Sequence, residues 1–91
     1  MSNAIVLTNQ FKKDYRQAIR RGMNIELLDT IVGLLANGIK LDSKHKDHLL
    51  TGRWRNCREC HILPDWLLIY QVDDQVHELT LIRTGSHSDL F

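Results

Sequence analysis

Apolar positions change their spacing partway along this chain, and the change divides it into a helical half and a strand-forming half. In residues 9–21, Phe11, Tyr15, Ala18 and Ile19 recur at i, i+4, i+7 and i+8. That spacing gathers them on one helical stripe and leaves Lys12, Lys13, Arg16 and Arg20 on another. Gly22 stops this helix. A second begins at Asn24, whose side chain suits the orphan amides of a first turn; Leu28, Ile31, Val32 and Leu35 form its buried face, and Asn37-Gly38 ends it. Helices joined by so short a link pair as a hairpin. Ahead of them, residues 4–8, "AIVLT", form a short β-rich run.

From residue 56 the period shortens. "NCRECHIL" is extended, Pro64-Asp65 is a turn, and "WLLIYQV" is the continuous apolar run of a central strand. "DDQ" is a second turn and "VHELTLIR" a third strand. The predicted order is β-α-α-β-β-β, an α+β domain with the helix hairpin packed on one face of a small antiparallel sheet. Residues 39–54 are polar and turn-rich and read as a long loop, the kind of segment that often carries function in a compact domain. The tail, residues 84–91, runs off the last strand, with Gly85 expected to take a positive φ and turn it back over the sheet.

Ninety-one residues suffice for one domain, 1–91, and not for two. No run approaches the ~20 apolar residues of a membrane span and the first residues lack a basic leader, so a cytoplasmic location without membrane contact is expected. The net charge of +1 conceals an asymmetry. Residues 1–58 hold eleven of the twelve Lys and Arg against five acids, leaving +6; residues 59–91 hold only Arg83 against six acids, leaving −5. A basic half of this kind points to an anionic partner, nucleic acid above all, with Lys46, Arg53 and Arg58 among its cations. Solvated helix and loop faces are the plainer explanation.

Residues 57–61, "CRECH", spell the haem-attachment pattern, and with His45-x-x-His48 they spell a zinc site of His45, His48, Cys57 and Cys60. Both readings need the two cysteines to converge. On a strand they diverge: Cys57, Glu59 and His61 face one way, Arg58, Cys60 and Ile62 the other. Arg58-Glu59 also offers no turn chemistry for a metal knuckle. The strand reading therefore expects neither metal nor cofactor, with the zinc domain as a rival.

Within residues 44–91 the chain resembles the YafQ branch of the RelE superfamily, bacterial toxins of type II toxin-antitoxin pairs. The resemblance is carried by Lys46-Asp47-His48-x-Leu50, Gly52-x-Trp54, Arg58-x-x-His61, Pro64-Asp65-Trp66-x-Leu68-Ile69-Tyr70 and Arg83-Thr84-Gly85-x-His87-x-x-Leu90-Phe91. It implies a small ribonuclease-like fold, a ribosome-dependent endoribonuclease cutting messenger RNA, a cognate DinJ- or RelB-like antitoxin, and operator DNA bound only through that antitoxin. It also places His48, His61, Asp65, His87 and Phe91 at the family's functional positions, with Arg83 as phosphate ligand. Glu59 stands where many members carry Asp.

The chemistry agrees with that set. Metal-free RNA cleavage needs a base for the 2′-hydroxyl, a cation for the crowded phosphate and an acid for the leaving 5′-oxygen. Histidine serves both proton roles near neutrality. His48, His61 and His87 fall on the loop, the first meander strand and the tail, which can converge at one end of the sheet. His87 is the expected acid and Asp65 or His48 the base; Arg83, Lys46 and Arg58 are the expected substrate cations, and Phe91 stacks on a base. Plainer roles stand beside these: Asp65 steadying its turn, Phe91 capping the core, Trp54, Trp66 and Tyr70 packing, His45 and His77 on the surface. A toxin-like module without activity, acting as an antitoxin-binding co-repressor, is the alternative function.

Overall fold

Thr8 begins the first helix, α1 (Asn9–Arg20), in the computed structural model, which describes residues 3–91. Its hydroxyl accepts the Phe11 amide at 3.1 Å and donates to the carbonyls of Leu81 and Ile82, so the helix cap is tied to the far end of the chain. The second helix, α2 (Ile25–Ala36), starts at Asn24, whose side chain accepts the Glu26 amide. Phe11 and Ala18 from α1 and Leu28, Ile31 and Leu35 from α2 are buried as their spacing requires. Ile19 is not: it is 53% exposed. Asp14 takes the place on the stripe instead, buried because it accepts the Thr84 amide at 3.1 Å and the Arg83 Nε–H at 2.7 Å.

Five strands follow the order β1-β5-β4-β3-β2: β1 (Ala4–Leu7), β2 (His48–Leu49), β3 (Arg58–Leu63), β4 (Trp66–Asp73) and β5 (Glu78–Gly85). The meander β3-β4-β5 is antiparallel as expected. β1 joins β5 in parallel, so the sheet is mixed; the helices between them supply the long crossover that parallel pairing needs. The continuous apolar run of β4 is explained by burial on both faces. Trp66, Leu68 and Tyr70 meet the helices with Cys60, Ile62, Leu79 and Leu81, while Leu67 and Ile69 are covered by Leu90, flanked by Leu50 and Trp54.

Three local features differ from the pattern-based expectation. β5 begins at Glu78, because Val76 and His77 lie in the preceding turn with His77 at φ 57°. The long loop is ordered by 3-10 turns at Ser43–His45 and Gly52–Trp54 and by the short β2 between them. The tail folds into a single helical turn, α3 (His87–Leu90), closed by a capping box between Ser86 and Asp89. Gly85 does not take a positive φ. Glycine is needed there because a Cβ would lie 3.0 Å from the Cβ and Oδ2 of Asp89, the residue that closes the turn. Among the described residues, no helix is long and apolar enough to cross a membrane.

Candidate active site

Pairing of β2 with β3 sets His48 directly opposite Glu59, and β-strand alternation returns His61 to the same face as Glu59. Glu59 is buried, and its Oε1 lies 3.7 Å from His48 Nε2 and 3.4 Å from His61 Nε2. Beyond His61, whose side chain is 16% exposed, the ring of His87 stands edge-on at 5.6 Å. His87 in turn donates from Nδ1 to Asp65 Oδ1 at 2.6 Å, and its backbone N–H reaches the same oxygen at 2.9 Å. Strand pairing explains the last contact: Leu67 sits opposite Gly85, which brings the Pro64-Asp65 turn beside the start of α3. Five titratable groups, His48, Glu59, His61, His87 and Asp65, thus run in a line across one end of the sheet.

Hydrogen bonding assigns chemistry within that line. The backbone and side-chain donors of His87 hold the Asp65 carboxyl below the usual carboxylate range, so it remains an anion. It accepts the hydrogen bond from His87 Nδ1–H and leaves Nε2 as the nitrogen that can carry a transferable proton. His48 donates its Nδ1–H to the Lys46 carbonyl at 2.7 Å, which frees Nε2 as an acceptor facing Glu59. Lys46 holds φ 48°, the left-handed conformation that brings its carbonyl under the His48 ring. His45 Nδ1–H donates to the His61 carbonyl at 2.7 Å and so braces β3 from the loop side.

The expected cations gather less fully. Lys46 is exposed and lines a cleft of about 760 Å³ together with Lys44, His61 and His87. Arg58 lies on the opposite face of β3 from Glu59 and His61: it is opposite Tyr70 and its Nε–H donates to Asp47 at 2.7 Å. The period-2 rule already separated Arg58 from His61, so its assignment to the same substrate site is corrected. Arg83 commits Nε and one terminal nitrogen to Asp14, at 2.7 and 3.3 Å. Phe91 is 61% exposed, and Leu90, not Phe91, caps the core.

The zinc reading fails on geometry. Cys60 is fully buried among the helix-facing core residues and Cys57 belongs to the other face, and burial pushes the Cys60 thiol up to about 12, away from the thiolate that a metal takes. Among the described residues, no group of three or more His, Cys, Asp or Glu side chains has the arrangement of a metal site.

Sequence reasoning missed the contacts of three acids. Glu59 was placed beside His61 by alternation, but its pairing with His48 required β2, which two residues within a polar loop do not announce. Asp47 accepts from Arg58 and from the Tyr70 hydroxyl, anchoring the loop one residue before His48. Asp14 had a signal: a lone acid three residues after Phe11, inside an apolar stripe.

Comparison with known proteins identifies the family. Residues 3–91 match the family model described as "Bacterial toxin of type II toxin-antitoxin system, YafQ". The mRNA interferase toxin YafQ of Escherichia coli K12 is 38% identical over 88 residues, covering 96% of this chain and 94% of that protein. A metal-bound toxin from Helicobacter pylori superposes with a TM-score of 0.92 at 43% identity, over 98% of this chain and 99% of its own. YafQ in the E. coli DinJ-YafQ toxin-antitoxin complex gives a TM-score of 0.90 at 36% identity, over 100% and 99% of the two chains. With helical half and site-bearing half matched alike, the chain belongs to the YafQ family of type II toxins.

Proposed function

We propose that this toxin is an endoribonuclease that cuts messenger RNA on the translating ribosome by attack of the RNA's own 2′-hydroxyl. The observation that carries the reading is the Asp65-His87 pair set edge-on to His61, with Glu59 and His48 behind it. The E. coli relative's designation as an mRNA interferase supports it.

In this mechanism His87 is the general acid. Asp65 fixes its tautomer and orientation, and Nε2 gives its proton to the departing 5′-oxygen. Asp65 is the weaker candidate for the base, because two hydrogen bonds from His87 to its Oδ1 stabilise the anion and lower its basicity. His48 is the better base: its Nε2 is free, and the Glu59 carboxylate behind it stabilises the imidazolium formed when the 2′-hydroxyl proton arrives. His61, against both Glu59 and His87, holds the two halves of the site in register. Lys46 and the remaining guanidinium donors of Arg83 supply positive charge for the phosphate, and Phe91 offers a stacking face. A DinJ- or RelB-like antitoxin is the restraining partner, as in the E. coli complex.

Single-turnover cutting on programmed ribosomes, with product ends identified, tests this. A 2′,3′-cyclic phosphate and a 5′-hydroxyl are expected. A 5′-phosphate product shows attack by water and removes the mechanism.

A further inference from the structure

α2 carries more apolar side chains than its core face uses. Leu28, Ile31 and Leu35 are buried against the sheet, yet Leu27 is 38% exposed and Leu34 half-buried on a neighbouring stripe. Both of these line the cleft of about 760 Å³ that opens on His61 and His87, and Leu63, 47% exposed, lines it with Pro64 from the turn between β3 and β4. A volume of this size falls within the roughly 300 to 1,000 Å³ of clefts that hold small ligands. Its polar lining comes from the loop: Lys44, His45 and Lys46, with the Thr30 hydroxyl from α2. Among the described residues, no acid lines it. His45 commits its Nδ1–H to the His61 carbonyl, which leaves Nε2 as the acceptor of that ring. Packing of the fold therefore accounts for neither the exposed leucines nor the cations grouped around them.

Resting on the cleavage reading above, we infer that this cleft receives the base of the nucleotide on the 5′ side of the cut, with Lys44 and Lys46 against that nucleotide's own 5′-phosphate. The polarity follows from the chemistry. The 2′-hydroxyl that gives its proton to His48 belongs to the upstream nucleotide. His48 is oriented by the Lys46 carbonyl at 2.7 Å, so the general base and the Lys46 ammonium stand on one short piece of loop. A ribose at His48 Nε2 has that ammonium beside it for its 5′-phosphate, and the cleft that Lys46 lines for its base. The downstream nucleotide leaves on the other side, with its 5′-oxygen at His87. A nucleotide suits the cleft better than a protein segment does. Its base brings flat apolar faces to Leu27 and Leu63 and polar edge groups to His45 and Thr30, while its phosphate matches a rim that holds cations and no acid.

Two measurements test the subsite. In single-turnover cutting on programmed ribosomes, an abasic residue just 5′ of the cut keeps the 2′-hydroxyl, so the chemistry remains possible. It should slow the wild type by about tenfold, the worth of roughly 60 Å² of apolar surface kept from water. Leu27→Gln with Leu63→Gln, both at exposed positions, should slow cutting of the intact message by a similar factor and make the protein nearly indifferent to the abasic residue. No abasic penalty in the wild type, or an equal penalty in the two proteins, overturns the subsite and leaves the nuclease reading intact. Wild-type cutting by the double variant together with lost antitoxin binding assigns the cleft to a protein and overturns it as well. The second measurement needs no cleavage. A short all-2′-O-methyl oligonucleotide, which cannot be cut, is titrated against the protein while leucine methyl resonances are followed. Those of Leu27, Leu34 and Leu63 should shift with an intact oligonucleotide and stay in place with one abasic throughout; shifts with both, or with neither, overturn the subsite. If no message is cut at all, the nuclease reading fails and this titration alone decides whether the cleft takes a base.

Discussion

At the residue scale the site depends on which nitrogen each histidine has free, and hydrogen bonds to backbone and carboxylate decide that. His87 is 53% exposed and contributes no core contact, so His87→Ala should lower the rate of cutting by at least ~100-fold while thermal unfolding is unchanged. Glu59 makes a different prediction. Its carboxylate is buried between two imidazoles, and Glu59→Gln keeps its shape while removing the charge that faces both rings. The rate of cutting should fall with the fold intact by circular dichroism; an unchanged rate assigns Glu59 to packing. That His48, His61, Asp65 and His87 stand together was legible in the sequence, because they occupy a motif with fixed spacing. Their division of labour was not. It depends on a carbonyl brought under His48 by the left-handed Lys46, and on Asp65 accepting twice from His87, and neither contact lies within a local pattern.

Elements hold these side chains in place through contacts that the catalytic residues do not make. α3 is a four-residue turn that would not persist alone; it is held by Leu90, by the Ser86-Asp89 capping box and by the Arg21-Asp89 pair at 2.7 Å. The Arg21 guanidinium, with the Ser86 amide, keeps the Asp89 carboxyl well below the usual carboxylate range. A carboxyl whose pKa is lower folded than unfolded contributes stability at pH above ~4, its unfolded value, and loses it as pH falls toward the folded value. Asp89→Asn should therefore be destabilising near neutrality, and its deficit relative to wild type should shrink as pH falls below ~4, as measured by denaturant unfolding across that range. On the other side of the site, Asp47 ties the His48 loop to β3 and β4 through Arg58 and the Tyr70 hydroxyl. Tyr70→Phe removes one of those ties inside the core and should cost about 1 kcal/mol of stability. The helices, the meander and the Asn24 cap were readable because periodicity and turn residues are local signals. β2, α3 and the parallel placement of β1 were not, since each exists only through contacts with chain far away in sequence.

For the whole molecule, the separation of charge carries the consequence. Of the eleven cations in residues 1–58, Arg21 and Arg58 are engaged by Asp89 and Asp47, whereas Lys12, Lys13, Arg16, Arg20, Lys40, Lys44, Lys46, Arg53 and Arg55 are exposed on α1 and the site-bearing loop. Of the six acids of residues 59–91, Glu59 and Asp65 face the histidines and Asp89 closes α3, while Asp73 and Asp74 are exposed at the β4-β5 turn. Nine exposed cations gathered on α1 and the site-bearing loop are suited to a long polyanion, and a message held on ribosomal RNA is one. Each phosphate neutralised releases condensed counterions, so the affinity of the toxin for programmed ribosomes should fall by about 0.7 to 0.9 log units per log unit of salt for every contact made. Replacing Lys12, Lys13 and Arg16 together by Gln should lower that slope by about two to three, because these cations are exposed, while the product ends of the remaining cleavage stay the same. Titration of binding against salt, wild type beside the triple variant, checks it. Parallel slopes for the two proteins would return the α1 cations to the role of solvated surface, and the steering of this toxin would then rest on Lys44 and Lys46 beside the histidines.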